Sequence, residues 1–129
     1  VTGVQTCALP IYLPGPLASL RWKQRTGQLA TFDVLPEAKG VRPRLLRISA
    51  GASMPRHTHG GDEFTLVLTG AFADELGQYG RGDLAATDST VTHRPVADAG
   101  EDCVCLAVTN APLRLTGALG FVLNRFQDF

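Results

Sequence analysis

The twenty residues from Gly51 to Gly70, GASMPRHTHGGDEFTLVLTG, restrict what this chain can fold into more than any other stretch. They hold His57 and His59, two of the three histidines in the sequence, together with Glu63, and they are fenced by glycine at each end. If Met54 to His59 is extended, side chains alternate between faces, so His57 and His59 share one face a little under about 7 Å apart. Two imidazoles then converge on one point. Gly60 and Gly61 can take backbone angles closed to other residues, which lets the chain turn and bring Glu63 back toward that point. The next segment, Phe64-Thr-Leu-Val-Leu-Thr69, is an apolar, β-prone run that carries Glu63 into a core. An isolated H-x-H reads as a solvated loop, but such a loop does not explain the strand behind it. Neutral imidazole and carboxylate are ligands for borderline divalent metals, so the stretch reads as a metal-binding constellation.

The rest of the composition is compatible with one domain built around it. A chain of 129 residues can bury a real core. Hydrophobic residues make up 44%, charged residues 19%, and the formal net charge is zero. Nothing here is basic enough for a phosphate-facing patch, so direct nucleic-acid binding is not expected. No apolar run approaches the roughly 20 residues of a membrane span, so no membrane association is expected either. Fourteen glycines, eight prolines and many short apolar runs between turn signals predict an all-β barrel or sandwich.

Val1 to Ile11, VTGVQTCALPI, looks like a common short-read sequencing adapter read in frame, so it is set aside from fold reasoning together with Cys7. The natural protein is then expected to begin upstream of Tyr12. Tyr12 to Ser19 is Pro/Gly-rich and reads as a linker remnant, with the domain proper running from Leu20 to Phe129. Strands are predicted over Leu20 to Arg25, Leu29 to Leu35 and Arg42 to Ser49, the last with Leu46 and Ile48 on one face and Leu45 and Arg47 on the other. Pro43 cannot donate to a ladder, which places that strand at an edge. Trp22 is expected to plug the core or a barrel end rather than serve as a substrate platform. Ala71 to Glu75 reads as a strand pairing back on Phe64 to Thr69 through a tight turn near Gly70. Gly77 to Asp83 reads as a glycine-rich hairpin loop without the spacing of a nucleotide-binding loop. Leu84 to Ala86, Val91 to Val96, Cys103 to Val108 and Leu113 to Thr116 supply further strands. Phe121, Val122, Leu123, Phe126 and Phe129 form a greasy tail expected to close the core.

Cys103 and Cys105 share a strand face with Cα atoms about 6.6 Å apart if extended, so a bridge between them would be strained. C-x-C is tighter than structural zinc spacings, which keeps both out of the metal shell. Two readings stay open for them, buried small hydrophobes or a redox pair. With Cys7 set aside there is no secretory disulfide framework, which fits a reducing cytoplasm.

At Gly51, His57-x-His59, Glu63 and Gly70 the chain resembles the first cupin motif, intact at every fixed position. Gly82, Asp88-x-Thr90, His93 and Ala97 have the spacing of the second motif and keep its glycine and histidine; Asp88, Thr90 and Ala97 stand where cupins usually show Pro, Gly and Asn. Within the cupins, the chain looks like the C-terminal domain of the ChrR-type anti-sigma factors. That likeness rests on Pro55 to Glu75, Tyr79 to Ala85, His93 to Asp98 and Glu101 to Gly120, with Trp22 and Arg44 to Ile48.

The resemblance implies an all-β, single-domain cupin, a jelly-roll-like double sheet closed into a β-barrel. It implies a zinc ion held by His57, His59, Glu63 and His93, in a domain that takes part in releasing an extracytoplasmic-function sigma factor when the cell meets singlet oxygen or related oxidants. In that family a separate N-terminal domain with a His-x3-Cys-x2-Cys zinc site clamps the sigma factor. No such motif occurs in this sequence, so the chain is expected to lack that domain. Four protein ligands leave a metal no open position unless one swings away, as in a structural or sensing site. An oxidant acting on a ligand or on Cys103 and Cys105 would shift the packing of the barrel. The alternative is a small metal-dependent cupin dioxygenase or isomerase, with Fe2+ or Mn2+ on the same four residues and Phe64, Leu66 or Tyr79 lining its pocket. Asp62 and Glu75 are then the nearby carboxylates, and a homodimer stays open under either reading.

Overall fold

The structure, a computed structural model, describes residues 15–118, 120 and 124. The adapter-like residues 1–11 with Cys7, and the tail residues Phe121, Val122, Leu123, Phe126 and Phe129, lie outside the described residues. After a short 3-10 turn at Leu17–Ser19 the chain is built from strands: β1 Lys23–Gln24, β2 Leu29–Asp33, β3 Arg42–Ile48, β4 His57–His59, β5 Glu63–Thr69, β6 Ala71–Asp74, β7 Gly77–Gly80, β8 Leu84–Thr87, β9 Thr92–His93, β10 Val96–Ala97, β11 Cys103–Thr109 and β12 Leu113–Leu115. They form an antiparallel six-stranded sheet in the order β1-β2-β3-β11-β5-β8 and two three-stranded sheets, β10-β6-β7 and β12-β4-β9. No helix among the described residues is long and apolar enough to cross a membrane.

Alternation decides what faces inward. Along β5, Glu63, Thr65 and Val67 are buried while Phe64 is 51% exposed, a period of two that points one face at the smaller sheets. Ile48, Val67 and Cys103 from the large sheet meet Phe72 of β6, Ala97 of β10 and Leu113 of β12 in one hydrophobic cluster. The expected all-β architecture is therefore present, with its core where the three sheets converge.

Four local expectations differ from what the chain does. Pro43 lies in an interior strand, because β3 runs between β2 and β11. Its carbonyl accepts from Val34 on the β2 side, the side its nitrogen also faces, and the β2 ladder has already ended at Asp33 opposite Arg44, so no sheet donor is lost. Ala71–Asp74 does not pair back on β5. It pairs with β7 and β10 in another sheet, while β5 pairs with β8 and β11. The glycine-rich stretch expected as a loop supplies the strand β7. Val91 to Val96 is two strands in two sheets, separated at Pro95, which cannot continue a ladder.

Trp22 is half-buried beside the large sheet's outward-facing Arg47, whose guanidinium carbon stands 4.7 Å from the ring centre, and its indole N–H donates to the Leu17 carbonyl at 2.9 Å. It fastens the entering turn to the barrel's outside rather than plugging an end.

Gly70 is the corner at which the chain leaves the large sheet for the smaller one. Its φ is +69°, and a Cβ there would run into the Asp102 carbonyl oxygen with the Cys103 Cα 3.0 Å away. Gly70→Ala therefore adds left-handed strain to a backbone clash and is expected to lower unfolding free energy by about 2–4 kcal/mol. Urea denaturation at neutral pH reads this directly; an unchanged midpoint would show that the corner relaxes freely.

Candidate metal centre

β4 is the middle strand of its sheet, and this is what gathers the histidines. His57 lies directly opposite His93 of β9, and Leu115 and Leu113 of β12 lie opposite His57 and His59 on the other side. The two-residue period turns His57 and His59 inward, each 2% exposed, while Thr58 between them faces out and donates to the Val91 carbonyl at 2.7 Å. Ring centres lie 4.6 Å apart for His57 and His93, 4.9 Å for His57 and His59, and 5.3 Å for His59 and His93. The His93 Nε2 is 3.0 Å from the His57 Nε2 and 3.2 Å from the His59 Nε2. Ligand atoms of all three residues fall within 4.8 Å of one another.

Glu63, the first residue of β5, stands beside this cluster. It is 7% exposed, accepts from the Thr65 hydroxyl at 3.1 Å, and holds its other oxygen 3.7 Å from the His59 Nδ1. The turn that returns it is not made as the glycine pair suggests. Neither Gly60 nor Gly61 has positive φ. They are needed for room: a Cβ on Gly61 would strike the Asn110 side chain and one on Gly60 would lie 3.2 Å from the Ala111 methyl. Asn110 in turn accepts from the Asp62 N–H at 2.8 Å and clamps the loop between β4 and β5.

Two rings have their protons placed by a surrounding layer. The His57 Nδ1 lies 2.8 Å from the Pro55 carbonyl oxygen, which can only accept, so Nδ1 carries the proton and Nε2 the lone pair. The His93 Nδ1 lies 2.8 Å from Asp74 Oδ2, an acceptor, so that nitrogen carries a proton as well. The other oxygen of Asp74 accepts from the Leu76 and Gly77 backbone N–H groups at 2.8 and 3.2 Å, so the carboxylate cannot swing. Sequence reasoning considered Asp62 and Glu75 as the nearby carboxylates and missed Asp74. Both of those are exposed, Asp62 against Asn110 and Glu75 against the Arg94 N–H and Arg56. The signal was present in the alternation of Ala71–Asp74, where Phe72 and Asp74 must share a face.

Burial lowers the pKa of both His57 and His59 from 6.5 to about 4, with the neighbouring His93 adding to the effect, and burial raises that of Glu63. His57 and His59 are therefore neutral at pH 7, and the Nε2 lone pair of His57 faces the His93 Nε2 across 3.0 Å. A cation between them would be held by both rings. Tetrahedral zinc with Zn–N bonds of about 2.0–2.1 Å separates its ligand nitrogens by about 3.3 Å, close to the observed spacing, so the three histidines fit a metal ion. Their Nε2 atoms would hold it, and it would supply a Lewis-acidic positive charge to the pocket.

The cavity on this inner side has a volume of about 30 Å³, and its walls include His57, His93, Glu63, Cys105, Phe72 and Leu46. Phe64, Leu66 and Tyr79 are not among its lining; Tyr79 stacks on Phe72, with ring centres 4.9 Å apart. Cys103 and Cys105 are free, buried thiols whose sulfurs approach to 3.5 Å, closer than an extended strand suggests, because the register of β11 against β5 shifts between Val104 and Cys105. The Cys105 S–H donating to the Cys103 sulfur pulls the Cys103 thiol pKa down and pushes that of Cys105 up.

A family model described as the ChrR cupin-like domain matches residues 16–113. The anti-sigma-E factor ChrR of Cereibacter sphaeroides is 41% identical over 115 residues, which cover 89% of this chain and 54% of that protein. The chain thus spans about half the length of this curated relative. Among solved structures, the complex of Rhodobacter sphaeroides SigE with the anti-sigma ChrR matches with a TM-score of 0.74 and 39% identity, over 79% of this chain and 56% of the matched one. The polyketide cyclase RemF of Streptomyces resistomycificus matches with a TM-score of 0.67 and 15% identity, over 88% of this chain and 93% of the other, a likeness of fold alone.

Asp74→Asn tests the proton placement. The Leu76 and Gly77 N–H groups keep the amide oxygen, so the NH2 faces the His93 Nδ1 and drives its proton to Nε2, the atom needed for metal. Metal affinity in a chelator competition is expected to fall roughly 10–100-fold, and nitrogen NMR of the metal-free protein should show the His93 tautomer reversed; an unchanged affinity would remove Asp74 from the centre. A second expectation concerns pH. In the metal-free protein the unfolded chain binds more protons at His57 and His59 between pH 6.5 and about 4, so stability falls as pH falls through that window. Each histidine contributes at most about 1.4 kcal/mol per pH unit. Glu63, with its raised pKa, acts in the opposite sense but is one group against two. Thermal unfolding from pH 7 to 4 measures the balance, and a flat profile would contradict the burial of these rings as neutral groups.

Proposed function

The chain belongs to the ChrR cupin-like domain family, and from that premise we propose that it is the metal-binding sensor domain of an anti-sigma factor. The observation that carries the reading is the convergence of the Nε2 atoms of His57, His59 and His93, with Nδ1 protons of His57 and His93 held by Pro55 and Asp74. In this reading the metal is zinc, and Glu63, buried beside His59, turns in as the fourth ligand. Zinc has no redox chemistry of its own, and four protein ligands close its shell, which suits a site whose occupancy holds a shape. A cavity of about 30 Å³ also leaves no room for the diketone or thiol-acid substrates of the enzyme alternative.

The partner is an extracytoplasmic-function sigma factor, held by an N-terminal domain of the full-length anti-sigma factor. Support comes from the relative, whose name is anti-sigma-E factor and of which the chain matches 54%. Residues 20–129 form the sensing domain, 12–19 the remnant of its linker, and 1–11 a sequencing artefact. Its place is the reducing cytoplasm, in keeping with two free thiols at van der Waals distance. The signal is an oxidant such as singlet oxygen. Oxidation that joined Cys103 to Cys105 would pass two electrons to the oxidant and release two protons, and would reshape β11 where Cys105 borders the metal cavity.

Elemental analysis of the purified chain should find about one equivalent of zinc, lost in His93→Ala; iron together with oxygen uptake would favour the enzyme instead. In the full-length anti-sigma factor, Cys103→Ser with Cys105→Ser should blunt release of the sigma factor by oxidant. Normal release in that double variant would remove the cysteines from the mechanism and leave the metal ligands as the oxidant's target.

A further inference from the structure

Arg44 is a buried cation with two guanidinium nitrogens unmet and Glu63 as its nearest charge partner in the cavity. It faces inward from β3, is 3% exposed, and its Nε and Nη1 find no hydrogen-bond partner among the described residues. Its strand neighbours offer none. Asp33 opposite it is engaged by Arg42 at 3.1 Å, and Ala107 on the other side is a methyl group, which leaves the guanidinium room toward Thr65 of β5. The Thr65 hydroxyl is already committed to Glu63. Arg44 also lines the metal cavity, together with His57, His93, Glu63 and Thr65. Burial lowers its pKa, yet a guanidinium stays charged at any physiological pH.

A buried guanidinium with unmet donors is costly, and native folds keep one where something else completes it. Charge balance indicates what that is. With a divalent metal on the histidines, the pocket holds three positive charges, counting Arg44, against the two carboxylates of Glu63 and Asp74. One negative charge is missing. The space of about 30 Å³ is enough for roughly two water-sized groups, and Ile48, Met54 and Leu113 in its lining are apolar. A large, strongly hydrated anion is thereby excluded.

We propose that the space between Arg44 and the histidine cluster binds a small carboxylate monoanion, the size of formate, with its oxygens accepting from the Arg44 guanidinium. The proposal rests on the metal reading above, since without the metal the carboxylates of Glu63 and Asp74 already offset Arg44. It makes the domain responsive to a ligand as well as to an oxidant.

The test is thermal unfolding of the chain with and without zinc, in sodium formate against sodium sulfate at equal ionic strength, with zinc content measured on the same samples. Arg44→Met and Arg44→Lys are compared with the wild type. Formate should raise the melting temperature of the zinc-loaded wild type saturably and sulfate should not. Arg44→Met should bind formate at least tenfold more weakly, with Arg44→Lys between. Without formate, zinc-loaded Arg44→Met should melt at or above the zinc-loaded wild type, because a positive charge in excess has been removed. A zinc-loaded wild type indifferent to formate, or an Arg44→Met that responds as the wild type does, overturns the proposal alone. So does an Arg44→Met that melts well below the wild type with its formate response intact, which would make Arg44 a structural partner of Glu63. A chain that holds no zinc overturns the metal reading and this proposal with it.

Discussion

The Nε2 atoms of His57 and His93 meet across 3.0 Å, and the Nε2 of His59 stands 3.2 Å from the second. The Pro55 carbonyl and Asp74 hold the Nδ1 protons of His57 and His93, so both rings present Nε2 to one small space. The barrel is built so that the rings cannot escape it. β4 is held on both sides by β9 and β12, Asp74 is fixed by two backbone N–H groups, and the clamp of Asn110 on Asp62 sets the loop leading to Glu63. The three sheets thus serve one electrostatic requirement, which a cation at their meeting point satisfies.

That requirement was legible in the sequence where it is local. The pairing of His57 with His59 follows from strand alternation, Glu63 was expected from a turn at Gly60 and Gly61, and His93 came from the resemblance to the second cupin motif; the fold places His93 directly opposite His57. What was not legible is what depends on which strand lies beside which. Pro43 argues for an edge only if its nitrogen faces a neighbour, and here it faces past the end of β2. Ala71–Asp74 reads as the return arm of a hairpin because Gly70 reads as a turn, whereas that glycine is a corner between sheets. Asp74 escaped notice for the same reason: its role exists only once β6 joins the sheet that carries β10 and lies beside His93.

The same geometry connects the centre to its surroundings. β11 is the strand through which a change could spread, since it pairs with both β3 and β5 and carries Cys103 and Cys105. Arg44 lies opposite Ala107 of that strand, and Cys105 and Arg44 both border the cavity. In the reading proposed for this domain, thiol oxidation, loss of a metal ligand and occupancy by an anion are three ways to alter one small pocket. A packed core has few intermediate arrangements, so such an alteration favours a shift between discrete states over a graded one.

The measurement that bears most directly on this account is X-ray absorption at the zinc edge of the purified, zinc-loaded chain. The account predicts about three imidazole nitrogens and one oxygen at about 2.0–2.1 Å, with no sulfur neighbour. A sulfur shell near about 2.3 Å would place Cys103 or Cys105 on the metal, and a shell of water oxygens without imidazole would mean that the three histidines do not hold it; either result would contradict the centre described here.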